Sequence, residues 1–177
     1  MTSDTIRFVE AHADCLLRTC IPGHLTGSAW IVSPDRARTL LTHHRKLDKW
    51  LQLGGHADGD PDLSAVALRE AREESGLARL RLLANELFDV DRHWIPARRT
   101  EPAHWHYDLR FMIEADPAER LVVSSESKDL AWVEVARVTG LNPEESMARM
   151  VRKTALRAEG PTTNRHAPVK DQAAKNQ

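Results

Sequence analysis

The sequence predicts an α/β chain, folded as an α/β/α sandwich with a mixed, partly antiparallel sheet between helices. Three observations carry that prediction. A hairpin pattern at 25–42 is followed by an amphipathic helical pattern that ends at Gly76. Residues 105–113 then alternate as a strand, and 143–156 return to helical spacing.

Each element has its own signal. Apolar positions at Ile6, Val9, Ala13, Leu16 and Leu17 predict a helix over Thr5 to Arg18, ended by Pro22 and Gly23. Leu25 to Val32 holds β-branched and aromatic residues, Ser33, Pro34 and Asp35 make a turn, and Thr39 to Thr42 is the returning strand. Arg45 to Leu53 is mixed, with Trp50 and Leu51 directed inward, before Gly54 and Gly55 interrupt regular structure. Asp60 and Pro61 mark a helix start, an acidic cap with proline in the first turn. That helix runs to about Ser75, and Gly76 stops it. Leu82, Leu83, Leu87 and Phe88 belong to a strand or its flanks.

In the alternating strand, Trp105, Tyr107, Leu109 and Phe111 take one face, which is assigned to the core. His104, His106, Asp108 and Arg110 take the other. Asp129 to Val135 is a final short strand around Trp132, and Pro143 to Leu156 is a helix carrying Met147, Met150 and Val151. One domain is expected over 1–158. The polar stretch 159–177 has few large apolar residues and is expected to be a disordered tail.

The length of 177 residues suits a single domain, and 41% hydrophobic residues suffice for a buried core. A net charge of -1 gives no basic surface of the kind a nucleic-acid polymer requires. No apolar run is long enough to cross a bilayer, and the first residues lack the apolar core of a signal peptide. A soluble, cytoplasmic protein is expected. Cys15 and Cys20, placed in the N-terminal helix, are read as free thiols.

The chemistry lies in 54–77. Glu70, Glu73 and Glu74 stand at i, i+3 and i+4, so the three carboxylates share one helix face. Like charges at these spacings repel, and the C-terminal half of a helix disfavours negative charge. A sequence that accepts both costs points to a divalent cation that offsets them. Oxygen-only ligands favour a hard ion, Mg²⁺ or Mn²⁺. The plainer reading is an exposed acidic face partnered by Arg69 and Arg72. The glycine pair placed ahead of the helix tips the balance against it.

The stretch from Gly55 to Leu77 resembles the Nudix box, G-x5-E-x7-R-E-U-x-E-E-x-G-U with U apolar. Gly55 opens it, and Arg69, Glu70, Ala71, Glu73, Glu74, Gly76 and Leu77 fill its second half. One position departs: Pro61 stands where the pattern has Glu, between Asp60 and Asp62, either of which can substitute after a loop shift. The resemblance implies a Nudix-type sandwich and metal-assisted substitution at phosphorus in a small diphosphate compound, nucleotide-like in kind. It implies that Glu70, Glu73, Glu74 and the Gly55 carbonyl hold Mg²⁺. Glu70 would bind metal or take a proton from the attacking water, and Arg69 would orient Glu70. An outer carboxylate is assigned to Glu126, with Glu114 as the second choice. A homodimer is common among such chains. A catalytically silent ligand-binding or sensor module is the alternative, disfavoured by the intact carboxylate set. An isopentenyl diphosphate isomerase is a further alternative, for which no segment resembles the cysteine-bearing motif.

Nine histidines are many for this length. His104 and His106 share a strand face two residues apart, a feasible ligand spacing, and His56 follows the glycine pair. The plainer reading makes them hydrogen-bonding surface or pocket groups. The functional reading is substrate contact by His56, His104 and His106, ahead of a transition-metal site. The charged neighbours Asp108 and Arg110 suggest that this strand face looks into a wet cleft shared with the carboxylates, or onto open surface.

Overall fold

The computed structural model describes residues 1–98 and 101–158. The chain runs α1 (Thr2–Ala11), β1 (Gly23–Val32), β2 (Arg38–His44), β3 (Lys49–Leu51), β4 (Leu53–His56), α2 (Leu63–Ser75), β5 (Arg81–Leu82), β6 (Asp89–Ile95), β7 (His104–Glu114) and β8 (Ser127–Glu134). A single 3-10 turn at Val135–Arg137 leads into α3 (Val138–Leu141) and α4 (Glu145–Ala158). The expected tail at 159–177 lies outside the described residues.

The sheet is mixed. Its main path is β3-β2-β1-β7-β5, with β4 also on β1, β6 on β7 and β8 on β2. β1 and β7 run parallel from Gly23 opposite Trp105 to Val32 opposite Glu114, while every other strand pair is antiparallel. The two faces of β1 bury different cores, as the period of two requires. Ala29 and Ile31 pack with Leu63, Ala67 and Ala71 of α2. Trp30 and Val32 pack with Met147 and Met150 of α4. The helices therefore cover opposite faces, which makes the α/β/α sandwich the sequence predicted.

The box helix is shorter at its start than expected. Asp62, not Asp60, is its N-cap: the side chain accepts from the backbone amides of Ser64 and Ala65 at 3.1 and 3.0 Å. Asp60 instead accepts from the Asp62 amide at 2.9 Å. Both aspartates next to Pro61 are thus engaged in building the loop. Gly76 ends the helix at φ 72°, the left-handed conformation that favours glycine, and its amide donates to the Arg72 carbonyl.

The N-terminal helix also differs, stopping at Ala11 instead of Arg18. Residues 12–20 form successive turns, in which Leu17 donates to Asp14 and Cys20 to Leu17. Competing long-range bonds explain the stop. The Cys15 carbonyl accepts from Leu25, and the Leu16 carbonyl from Gly59, so these groups serve β1 and the box loop instead of a continuing helix. Phe8 anchors α1 by stacking on Tyr107 with ring centroids 4.0 Å apart. Cys15 and Cys20 are buried free thiols in the turns, outside any helix.

The expected strand near 80–90 is only Arg81–Leu82, with a separate strand beginning at Asp89. The largest correction concerns β7. Its second face was expected to be wet, yet His104, Asp108 and Arg110 are 3%, 1% and 2% exposed. Burial is tolerated because the charges are paired. Arg110 donates to Asp108 at 2.7 Å and to Asp89 and Asp91 at 3.2 Å each. Thr26, Ser28 and Gln52 donate to Asp108. Arg149 of α4 closes the network on Asp89 and Asp91.

Candidate active site

The carboxylate site forms where α2 passes β4. β4 pairs with β1, placing Gly55 opposite Gly27 on the face that α2 covers. The Glu70 carboxylate lies against the Gly55 backbone so closely that a Cβ there would stand 2.4 Å from the carboxyl carbon. Only glycine leaves room for it. Arg69 fixes this carboxylate, donating to Glu70 at 2.9 Å and to the His56 carbonyl at 3.0 Å. Its Nε stands 3.9 Å from Glu73, whose side chain is exposed.

Glu74 is half-buried. Burial first, then the Glu70 charge, pushes its carboxyl up to about 8, with Glu126 and Glu73 adding repulsion and the Gly54 amide opposing it. One buried oxygen, Oε2, has no hydrogen-bond partner. A divalent cation fits this donor set. An orphaned buried carboxylate oxygen, a second carboxylate seated on a glycine and converging negative charge are the features a hard cation satisfies. Glu126, in the exposed turn before β8, contributes its charge to Glu74. Glu114 is engaged elsewhere, accepting from Arg36 at 3.0 Å and from Arg81.

The histidines gather as a separate group. The parallel register sets His24 of β1 opposite His106, and the antiparallel register sets His93 of β6 opposite His106. His56, opposite Thr26, shares the face of His24. Ring centroids of His24 lie 5.0, 4.8 and 4.8 Å from those of His56, His104 and His106. Sequence parity thus brings His56, His104 and His106 together, but on the sheet face away from α2. The shared cleft with the carboxylates expected for them is replaced by two sites on opposite sheet faces, meeting at Gly55 and His56. Burial lowers the basicity of His56 to about 4, with Arg18 adding to it, and that of His106 to about 2, with His93 adding to it. Both rings are neutral at pH 7. A cavity of about 540 Å³ opens beside His104, lined by Arg18, Thr19, Cys20, Ile21, Glu101, Pro102 and His104. Arg18 forks onto Asp58 at 2.6 and 2.7 Å, tying this cavity wall to the box loop.

His24 and His93 escaped the sequence reading. The signal that finds them is strand pairing, since each is the lateral partner of His106. His43 and His44 stand apart: His43 stacks on Trp50 at 5.0 Å, and His44 accepts from the amides of Lys46 and Leu47. Trp94 is exposed and packs edge-on against Trp105 at 5.0 Å.

A family model described as NUDIX domain matches residues 24–154. Among curated proteins, none matches the chain. Solved structures share the fold. A Caenorhabditis elegans Ap4A hydrolase binary complex aligns at 16% identity and TM-score 0.61, over 75% of this chain and 95% of that one. A NUDIX-family hydrolase from Clostridium perfringens aligns at 23% identity and TM-score 0.60, over 75% and 97%. The NUDIX domain of Shewanella oneidensis NrtR, complexed with ADP ribose, aligns at 16% identity and TM-score 0.55, over 75% and 86%. The family match spans most of the chain and contains the whole carboxylate helix and its glycine seat; the chain belongs to the NUDIX domain family.

Proposed function

We propose that this chain is a Mg²⁺-dependent hydrolase of a diphosphate linkage in a small, nucleotide-like molecule, with Mn²⁺ as the alternative hard cation. The observation that carries the proposal is Glu74. Its half-buried carboxylate has an unpartnered oxygen and faces the charges of Glu70, Glu73 and Glu126. Such a group is costly without a cation and useful with one.

In this reading Glu70, Glu73, Glu74, the Gly55 carbonyl and Glu126 hold the ion. A bound divalent ion neutralises diphosphate oxygens and lowers the pKa of a coordinated water. Glu70 shares the ion or accepts a proton from the attacking water. Arg69 keeps the Glu70 carboxylate turned toward Gly55 through its two hydrogen bonds. His56, one residue beyond Gly55, is the imidazole proposed to reach the substrate. His104 and His106 are proposed to act on it only by way of His56, against whose ring His106 packs at 5.0 Å. Structures sharing this fold include an Ap4A hydrolase and a NUDIX domain complexed with ADP ribose, which supports a nucleotide-like substrate.

The partner proposed is that small molecule, not a nucleic-acid polymer, and the assembly proposed is a homodimer. Buried free thiols support a reducing, cytoplasmic setting. No helix of the described residues is long and apolar enough to cross a membrane.

The test is a screen for cleavage of the diphosphate linkage with and without Mg²⁺, read by chromatography of the products. It covers nucleoside triphosphates, nucleotide sugars, dinucleotides and non-nucleotide diphosphates. Mg²⁺-dependent cleavage of at least one compound supports the proposal. A diphosphate compound that binds tightly yet stays intact at every Mg²⁺ concentration favours a binding module instead.

A further inference from the structure

The histidine group contains one ring, His24, to which the hydrolytic reading gives no role. His24 is 1% exposed, and neither of its ring nitrogens has a hydrogen-bond partner. One nitrogen each from His24, His56 and His106 lie within 4.8 Å of one another. A buried imidazole with both nitrogens unmet loses its hydration with no hydrogen bond in return. We propose that His24, His56 and His106 form a second metal site, on the sheet face away from α2, that takes a borderline transition ion of the zinc class.

The donor chemistry selects the ion. Three neutral imidazoles suit zinc, copper or nickel, whereas Mg²⁺ prefers oxygen ligands. The carboxylate site across the sheet has the opposite preference, so the two sites sort ions by ligand type. Zinc held by imidazoles at about 2.0–2.1 Å brings ligand nitrogens to roughly 3.4 Å of each other. Ring rotation must therefore close the widest pair by about 1.4 Å from the 4.8 Å limit seen here. Three protein ligands leave a fourth position open for water or an anionic oxygen.

His104 supplies the outer support that such sites use. Its Nδ1 donates to the Pro102 carbonyl at 2.8 Å, which turns its Nε2 toward Nε2 of His106, 3.1 Å away. That contact orients the His106 ring. The cavity reaches His104, beside the three rings, and Arg18 at its wall has its charge paired with Asp58. The inference does not rest on the hydrolytic reading, because it concerns metal binding with no substrate present.

The experiment titrates the full chain, stripped with a chelator, first with Co²⁺ and then with Zn²⁺. One equivalent of Co²⁺ should give the intense visible bands of a low-coordinate site, displaced by Zn²⁺ and untouched by a large excess of Mg²⁺. The bands should persist in a Glu73→Gln, Glu74→Gln double variant. His104→Ala should weaken binding about 10- to 100-fold as an outer-shell loss, and His56→Gln and His106→Gln by at least that much. Wild-type protein without the bands overturns the proposal, whatever the variants do. So do bands that survive both histidine-to-glutamine changes or vanish in the carboxylate variant.

Discussion

The Glu70 carboxylate occupies the space where a side chain on Gly55 would begin, with only 2.4 Å between its carboxyl carbon and a Cβ built there. The glycine is therefore part of the site's shape. Gly55→Ala should push the Glu70 carboxylate aside, because that side chain is more mobile than the paired strand behind it. Displacement of a reacting group by about 1 Å can cost on the order of 100-fold in rate. We expect a loss of that size in kcat/KM with a thermal midpoint close to wild type. A variant with unchanged turnover would show that Glu70 does not act from its seat on Gly55.

Glu74 ties the site to pH. Its carboxyl is raised from 4.5 to about 8 in the folded, metal-free chain, by burial first and then by Glu70. Between those values the native state keeps a proton that the unfolded chain has released, so stability falls as pH rises through the window. His56 and His106 act with the opposite sign at lower pH. Their folded values are depressed below 6.5, so their neutral burial destabilises the fold only as pH falls below that value. The clean interval for Glu74 is therefore about pH 6.5 to 8. In chelator, the midpoint of Glu74→Gln should gain on wild type across that interval, and excess Mg²⁺ should narrow the gap. A constant difference across the interval would mean that Glu74 ionises normally.

Arg110 is a stability determinant. It is buried among Asp89, Asp91 and Asp108 with hydrogen bonds to all three. Arg110→Ala leaves three buried carboxylates short of their cation, a loss of about 3–5 kcal/mol by analogy with broken buried pairs. Urea unfolding should show a lower midpoint with an unchanged slope. A loss below about 1 kcal/mol, the scale of a surface pair, would mean that water or Arg149 compensates.

Local signals were legible where local physics decides the structure. The Gly76 stop follows from glycine chemistry, and the structure has it in place; the spacing of Glu70, Glu73 and Glu74 along α2 follows from helical period. Pairing between distant segments was not legible. Nothing near His24 announces that β1 runs parallel to β7, so neither its meeting with His106 nor the burial of Asp108 under Thr26 and Ser28 was foreseen. The expected extension of α1 to Arg18 failed for the same reason, since Leu25 and Gly59 claim carbonyls in that stretch. Charged residues on a strand face suggested water because their partners on β6 and α4 could not be read from β7 alone.

The most direct test of the central claim is turnover as a function of Mg²⁺ concentration, for wild type and Glu73→Gln, on the best substrate from the diphosphate screen. Glu73 is exposed, so its neutral replacement should leave the fold intact and relieve repulsion along α2. The account predicts saturable Mg²⁺ activation in wild type. In the variant it predicts a rate lower by about two orders of magnitude or more, partly recovered at high Mg²⁺ as expected for a lost ligand. Wild-type turnover by Glu73→Gln at limiting Mg²⁺ would contradict the assignment of the carboxylate cluster as the metal site.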